Sequence, residues 1–334
     1  MDWLLHADTT GEKLVLMVVA VLMFVAVMGL ILFATDRIRS LPPWVVGVIF
    51  VTPVVLALGF GLVYPAIETI KESFYDRSGA FVGLDNYVAA FTRDEFQVVL
   101  RNTAVWVVVV PLASTAIGLL YAVLVDRARF EKFAKTLIFL PMAISLVGAS
   151  IIWKFVYAYR PVLEGVPAEN QPNQIGLLNQ MLVWFGLEPQ QWLINSPANT
   201  YFLIVVMVWI QAGFAMTILA AAIRAIPTDI VEAARLDGLG GTRMFRYITV
   251  PSIRPALVVV ITTIAMATLK VFDIVRTMTG GNFNTSVVSY EFYRQSFVQR
   301  NTGLGAALAV ILFVLVIPIV VYNVRQMRRA EEIR

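Results

Sequence analysis

The stretch EAARLDGLGGTRMFRYITVP, residues 232–251, places several charged side chains between two long apolar segments. A proline and an acid shortly before it are helix-start signals. Gly238 suits the position just after a helix, Thr242 is expected to cap a second short helix, and Pro251 is expected to end it. The pattern predicts a helix, a glycine turn and a second helix, which we call the knuckle (residues 226–251).

The composition around the knuckle is that of an integral membrane protein. Of the 334 residues, 59% are hydrophobic and 14% are charged, whereas soluble domains have roughly 25% charged residues. A spanning helix needs about 20 mainly apolar residues. Seven segments are predicted to span as helices: 14–34, 44–67, 102–125, 136–153, 198–223, 255–269 with a charged extension to 276, and 303–324.

The first segment, 14–34, has an uncharged run longer than the core of a signal peptide, and no small-residue cleavage pattern follows it. We interpret it as a retained helix.

The distribution of positive charge predicts the orientation. With seven crossings, the linkers 35–43, 126–135 and 224–254 and the tail 325–334 share one side of the membrane and carry fifteen of the 26 Lys and Arg residues. The longer segments on the other side carry nine. Because cytoplasmic loops are enriched in Lys and Arg, the knuckle and the C-terminus are expected inside and the N-terminus outside. The net charge of +4 therefore reflects topology, and we expect no nucleic-acid partner.

The sequence has few residues of the types that catalysis or metal binding commonly uses. The chain has no cysteine and a single histidine, His6 in the N-terminal tail, and it lacks a phosphate-binding loop of the G-x-x-x-x-G-K-[ST] type. We expect no catalytic residue, no metal site and no cofactor in this chain. Any energy for uphill transport must then come from another subunit.

The knuckle resembles the EAA loop of ABC importer permeases, in which EAA is followed by a glycine, an isoleucine and a proline at fixed spacing. Glu232, Ala233 and Ala234 match the EAA, and Gly238, Ile248 and Pro251 follow at the family's spacing, with Val250 in place of the usual leucine. Further stretches between residues 44 and 325 resemble carbohydrate-type permeases related to the larger membrane subunit of the maltose transporter. They are FVGLDNY (81–87), RNTAVWVVVVPLASTAIGLLYAVL (101–124), IFLPMAIS (138–145), IGLLNQML (175–182), IPTDIVEAARLDG (226–238), ITVPSIRPAL (248–257), VFDIVRTMTGGN (271–282) and YRQSFVQRNTGLGAALAV (293–310).

The resemblance implies an all-α integral membrane protein in the bacterial cytoplasmic membrane, with a six-helix type I importer core plus one extra helix. Residues 1–43 would hold the tail and extra helix, 44–325 the permease domain, and 326–334 a basic cytoplasmic tail. Implied partners are a second related permease, two copies of a cytoplasmic P-loop ATPase that binds ATP and Mg²⁺, an extracytoplasmic sugar-binding protein and the lipid bilayer. Implied coupling residues are Glu232, Ala233, Ala234, Asp237 and Gly238.

A substrate path through the spans needs polar groups for hydroxyls and an aromatic face. Gln211 is the first candidate, because an amide in mid-membrane requires a partner; a helix–helix hydrogen bond is the equal alternative. The other candidates have structural alternatives, namely aromatic packing for the tryptophan and bonding to the helix's own backbone for the hydroxyls. They are Trp209, Ser145, Ser114, Thr115, Thr262 and Thr263.

At the outer end of the sixth segment, Lys270, Asp273 and Arg276 are spaced one helical turn apart. They form either an outer gate or contact with the binding protein, or else a set of snorkelling charges that pair along the helix.

The expected function is import of a disaccharide or oligosaccharide, of the α-glucoside, maltose or trehalose class. The alternatives are import of a glycerol phosphate or polyol, a stand-alone channel or secondary carrier, and, least supported by the residues, a membrane-embedded enzyme. A channel or carrier would leave the knuckle without a purpose.

Overall fold

The computed structural model describes residues 9–37, 42–125, 131–161 and 163–332, so His6 and residues 126–130 of the predicted linker 126–135 lie outside the described residues. The regular structure there is helical apart from one isolated bridge between Tyr75 and Phe81. The helices, numbered in chain order, have these bounds: α1 (Thr10–Arg37), α2 (Pro43–Leu58), α3 (Tyr64–Glu72), α4 (Asp85–Thr92), α5 (Asp94–Val125), α6 (Glu131–Phe139), α7 (Leu146–Val156), α8 (Leu177–Trp184), α9 (Ala198–Arg224), α10 (Thr228–Leu236), α11 (Gly241–Met244), α12 (Val250–Ser252), α13 (Arg254–Leu269), α14 (Asp273–Met278), α15 (Val288–Tyr293) and α16 (Thr302–Glu332).

Five helices of the described chain are long and apolar enough to cross a membrane, and the number reaches seven if each of two bent pairs counts as one span. The expectation of about seven spans in an all-α protein agrees with this range. The span predicted at 44–67 is α2 and α3 joined without interruption by a π-helical turn, Gly59–Val63.

The chain divides into two compact units, Met1–Glu68 and Thr69–Arg334. The first unit consists mainly of α1 and α2, whose apolar side chains are largely exposed; Phe24 and Trp44 are 65% and 71% exposed. Lipid is the solvent that such surfaces require, because tails of the bilayer are as apolar as the side chains.

The core of the second unit lies where α5 packs against α9 and α13. Trp106 and Val110 of α5 are fully buried among α9 residues such as Leu203. Gly118 lets the two long helices approach closely, since a Cβ at this position would lie 2.5 Å from that of Ala215. Small residues at helix crossings in membranes act in this way.

The segment 136–153 does not form one straight helix, which corrects the prediction. α6 ends at Phe139, a 3₁₀ turn covers Leu140–Ala143, and α7 leaves at 104° to α6. Pro141 lies in the turn, where its missing N–H and its ring disfavour a continuing helix.

The sixth predicted span is also interrupted. α13 ends at Leu269, Lys270 follows as its C-cap, and the separate helix α14 begins at Asp273. The extension to residue 276 as a single helix was therefore wrong. At the N-terminal end of α13, the helical segment that contains Pro251 ends at Ser252 and meets α13 at a bend of 69°.

The segment between α14 and α15 is fastened to the long helices by side-chain amides. Asn102 of α5 donates to the carbonyl oxygens of Asn284 and Ser286, at 2.6 and 3.0 Å. Asn199 of α9 donates to the carbonyl oxygen of Phe283 at 2.7 Å. These bonds satisfy backbone groups in a region with several left-handed residues.

Candidate coupling surface and substrate path

The first helix of the knuckle, α10, ends in a complete Schellman motif. The N–H of Leu239 donates to the carbonyl of Ala234 at 2.9 Å, and the N–H of Gly238 donates to that of Arg235 at 3.0 Å. Gly238 has φ +79°, a conformation that glycine adopts without strain. The predicted role of Gly238 at the helix end is confirmed.

The second half of the knuckle differs from its prediction in detail. α11 begins at Gly241 with Gly240 as its N-cap, so Thr242 lies inside the helix and does not cap it. A π-helical turn, Phe245–Thr249, follows α11. Pro251 is the second residue of α12, where proline is tolerated, and the helical segment ends one residue later, at Ser252.

The predicted coupling residues do not all reach the surface. Glu232, Ala233, Asp237 and Gly238 are exposed. Ala234 is only 4% exposed and packs inside the chain's own fold, so it supports the surface without forming it.

Sequence reasoning missed Leu236, which is 89% exposed on α10. The signal was available, because Leu236 follows Glu232 by four residues and therefore shares the charged face of an amphipathic helix. Between α10 and α11, a cleft of about 650 Å³ opens next to this surface. Its lining residues are Ile223, Arg224, Ile226, Thr228, Val231, Glu232, Arg235, Met244 and Thr249.

Several of the Ser and Thr candidates for the substrate path are buried in helix packing or bonded within the fold. Ser114 and Thr115 are buried in the packing of α5, and neither hydroxyl has a hydrogen-bond partner among the described residues. Ser145 caps α7 by accepting from the N–H of Gly148 at 3.1 Å. Thr262 donates to the carbonyl of Val258 on its own helix at 2.8 Å.

Thr262 also accepts a hydrogen bond from the amide of Asn323 on α16. The pair joins α13 to α16. Asn323 was not singled out from the sequence, although an asparagine inside an apolar run of this length calls for a partner.

Three candidates keep polar or aromatic surface available. Gln211 and Thr263 are half-buried, and their side chains make no hydrogen bond to any described residue. Trp209 is half-buried and packs edge-on against Trp153, with ring centroids 5.7 Å apart. The packing interpretation of Trp209 thus holds for one edge of its ring.

Lys270, Asp273 and Arg276 do not form a paired row on one helix, because the chain breaks between α13 and α14. No ion pair within the described chain joins them. Arg276 lies instead over the rings of Phe272 and Tyr293, 5.4 and 4.8 Å from their centroids, in cation–π geometry.

Two cavities with polar and charged residues in their lining, one beside α4 and one beside the segment between α14 and α15, were not anticipated. One, of about 250 Å³, is lined in part by Glu95, Asn282 and Arg294. The other, of about 610 Å³, includes Asp76 and Arg93. The hydroxyl of Ser78 donates to Asp76 and, with nearby main-chain N–H groups, lowers the pKa of that carboxyl below its usual value.

Comparison with known proteins identifies the family. Residues 114–329 match the family described as "Binding-protein-dependent transport system inner membrane component". The chain belongs to this family. Its predicted membership of the ABC importer permeases and its all-helical fold are confirmed, and it is a multi-pass component of the inner membrane.

The relatives of this permease include transporters of several small solutes. It is 47% identical over 286 residues to the osmoprotective compounds uptake permease protein GgtC of Synechocystis sp., covering 85% of this chain and 100% of the relative. It is 44% identical over 293 residues to the alpha-glucoside transport system permease protein AglF of Rhizobium meliloti, covering 87% and 84%. A trehalose/maltose transport system permease protein, MalF of Thermococcus litoralis, is 27% identical over 297 residues, covering 85% and 94%.

The permease also shares its fold with a solved importer. A chain of a bacterial alginate ABC transporter, in complex with an alginate pentasaccharide-bound periplasmic protein, aligns with a TM-score of 0.72 and 22% identity. The alignment covers 88% of this permease and 97% of that chain.

Proposed function

We propose that this permease subunit imports an α-glucoside or a related disaccharide or oligosaccharide, with energy from ATP hydrolysis in a separate ATPase. The names of AglF and MalF support the substrate class. Support also comes from the path candidates that retain free polar surface, Gln211 and Thr263, which offer an amide and a hydroxyl but no charge. Such groups suit the hydroxyls of a neutral sugar.

A second candidate substrate class is a small osmoprotective solute, a polyol or a glycerol phosphate. The name of GgtC, an osmoprotective compounds uptake permease, supports an osmoprotective solute. A phosphate-bearing substrate would need cations along the path, and none of the path candidates is a cation. A neutral polyol remains compatible with the same residues.

The observation that carries the coupling role is the exposure of Leu236. A leucine that is 89% exposed on a short helix with a fully capped end has no role in this chain's own core. An apolar side chain surrounded by the exposed charges of Glu232 and Asp237 has the composition of a protein–protein contact, in which an apolar anchor is rimmed by polar groups.

In this proposal, the knuckle is cytoplasmic and docks on the ATPase, which binds ATP and Mg²⁺. A second related permease completes the path, and two copies of the ATPase serve the pair. The cavities lined by Asp76 and by Glu95 face the sugar-binding protein. The N-terminus lies outside, as the distribution of Lys and Arg over seven crossings indicates. Closure of the ATPase dimer would move α10 and rock the long helices between inward-facing and outward-facing states.

Co-purification tests this proposal. The tagged chain, expressed in its native cell and extracted in mild detergent, is expected to retain a P-loop ATPase and a second permease. Leu236→Asp is expected to lose the ATPase while the chain inserts normally. Leu187→Asp is the matched control, since Leu187 is an exposed leucine on the segment after α8.

Uptake into cells then separates the substrate classes. Competition among α-glucosides, maltose, trehalose, neutral polyols and glycerol phosphate is expected to favour the glucosides. Recovery of the chain without an ATPase, under conditions that preserve other importer complexes, would contradict the coupling role and favour a channel or carrier.

A further inference from the structure

A groove opens on the surface between α6 and α9, at the end of the unit that carries the knuckle. Its volume is about 500 Å³. Its lining residues are Lys135, Thr136, Phe139, Met216, Thr217, Ala220, Ala221 and Arg224. Neither the coupling surface nor the substrate path uses this groove, although Arg224 also lines the cleft of the knuckle.

The walls of the groove are chemically apolar despite two threonines. The hydroxyl of Thr136 donates to the carbonyl of Lys132 at 2.9 Å. The hydroxyl of Thr217 donates to that of Gly213, also at 2.9 Å. Because both hydroxyls bond to their own helices, as such residues commonly do, the walls offer methyl, methylene and ring surface and suit a hydrocarbon chain better than a sugar.

The polar groups of the groove lie at one end. Lys135 donates to Oε1 of Glu131 at 2.8 Å, and Arg224 contacts the same oxygen. Lys132, one turn before Lys135 on α6, is exposed. The described side chains of this rim therefore include three cations and one carboxylate, and the long stems of the cations reach along apolar surface as those of interfacial Lys and Arg do.

The length of the groove matches one leaflet of a bilayer. Met216 and Arg224 are eight residues apart on α9, a rise of about 12 Å. The hydrocarbon core of a bilayer is about 30 Å thick, or about 15 Å per leaflet. Beyond Met216 the groove closes, because Gly213 lies against the backbone at Ile138.

We propose that this groove binds an anionic phospholipid of the leaflet on the knuckle's side. The phosphate would lie at Lys135 and Arg224, with Lys132 adding to the attraction, and one acyl chain would lie along Thr217 and Ala221. Basic pockets beside membrane helices bind anionic headgroups by this combination of charge and apolar surface. The site is independent of which solute the permease transports.

Photo-crosslinking tests the site in the full chain. The protein is reconstituted in phosphatidylcholine vesicles that contain a trace of either phosphatidylglycerol or phosphatidylcholine with a diazirine on the acyl chain. After illumination, adducts are mapped by mass spectrometry and normalised to those at Leu112, an exposed residue of α5 outside the groove. Both lipids carry a phosphate, but the choline of phosphatidylcholine offsets that charge, whereas phosphatidylglycerol is net negative. Adducts at Thr217 and Ala221 are therefore expected to favour phosphatidylglycerol, by about fivefold for each rim cation that lies near the headgroup.

Two further measurements separate a specific site from general lipid contact. Lys135→Gln is expected to lower the preference several-fold, whereas Lys154→Gln, at an exposed lysine of α7 outside the groove, is expected to leave it unchanged. Salt near 1 M, where the Debye length is about 3 Å, is also expected to reduce the preference. Equal labelling by the two lipids would overturn the proposal. So would an absence of groove adducts with either lipid, which would mean that protein covers the groove.

Discussion

The α-carbon of Gly213 on α9 lies directly against the carbonyl oxygen of Ile138 on α6: a Cβ at residue 213 would be 2.5 Å from that oxygen and 3.2 Å from the Cα of Phe139. Both contacts are with backbone, which cannot rotate away as a side chain could. The broken segment therefore meets α9 at this glycine, immediately before the 3₁₀ turn that redirects the chain.

Gly213→Ala is expected to lower the stability of the purified protein by about 1–3 kcal/mol, the usual penalty of overpacking. The measurement is thermal unfolding in detergent. Gly47→Ala on α2 is the control, because nothing lies within 4 Å of a Cβ there, and it is expected to be neutral or mildly stabilising. Equal effects of the two substitutions would show that the contact at Ile138 yields without strain.

The sequence predicted the apolar segments well because burial and lipid exposure both require uncharged residues, but their hydropathy did not show where two of them break. Residues 136–153 carry no Asp, Glu, Lys or Arg, so hydropathy alone could not distinguish a straight span from a bent pair. Pro141 was the local signal. Gly213, which packs against the backbone just before the break, is distant in sequence, so its contact is seen only in the folded structure.

The same limit applies to the polar residues of the spans. Ser114, Ser145 and Thr262 are indistinguishable by type, yet one is unpaired inside the core, one caps a helix and one bonds to its own backbone and to Asn323. Whether such a hydroxyl is paired depends on which face of its helix packs against a neighbouring helix. In the knuckle, by contrast, spacing and glycine chemistry predicted the end of α10, because the motif is local.

Ser114→Ala is expected to maintain or raise stability, by up to about 1 kcal/mol, because the hydroxyl is buried without a partner in this structure and an unsatisfied buried polar group is unfavourable. Thr262→Val is the contrasting variant. It is expected to lower stability because it leaves the amide of Asn323 without its acceptor. Thermal unfolding of both measures the difference, and a clear loss of stability in Ser114→Ala would indicate a partner for its hydroxyl.

Gly238→Ala is expected to loosen the end of α10, since a residue with a side chain at φ +79° is strained by about 1–2 kcal/mol. Hydrogen exchange of the amides of Gly238 and Leu239 in the purified chain should become faster by about fivefold to thirtyfold. Gly240→Ala is the control, because Gly240 has φ −145° and equally open surroundings. Unchanged protection in Gly238→Ala would mean that the Schellman motif contributes little to the order of the knuckle.

Glu232→Lys is expected to leave membrane insertion intact and to abolish both ATPase association and uptake, because it reverses an exposed charge on the proposed coupling surface. Glu188→Lys, an exposed glutamate on the segment after α8, is the charge-matched control. Co-purification and solute uptake are measured in the same cells. Normal uptake in Glu232→Lys would remove this residue from the coupling surface.

Gln211→Leu distinguishes the two interpretations of the mid-membrane amide. The side chain is half-buried and makes no hydrogen bond to the described chain, so leucine is expected to leave thermal stability unchanged. If the amide bonds to substrate hydroxyls, uptake should fall about threefold to tenfold, which corresponds to one or two lost hydrogen bonds. Thr217→Val is the control, because the hydroxyl of Thr217 bonds to its own helix and faces the groove between α6 and α9. A fall in the stability of the assembled importer with unchanged uptake per folded complex would instead assign Gln211 to a contact with the second permease.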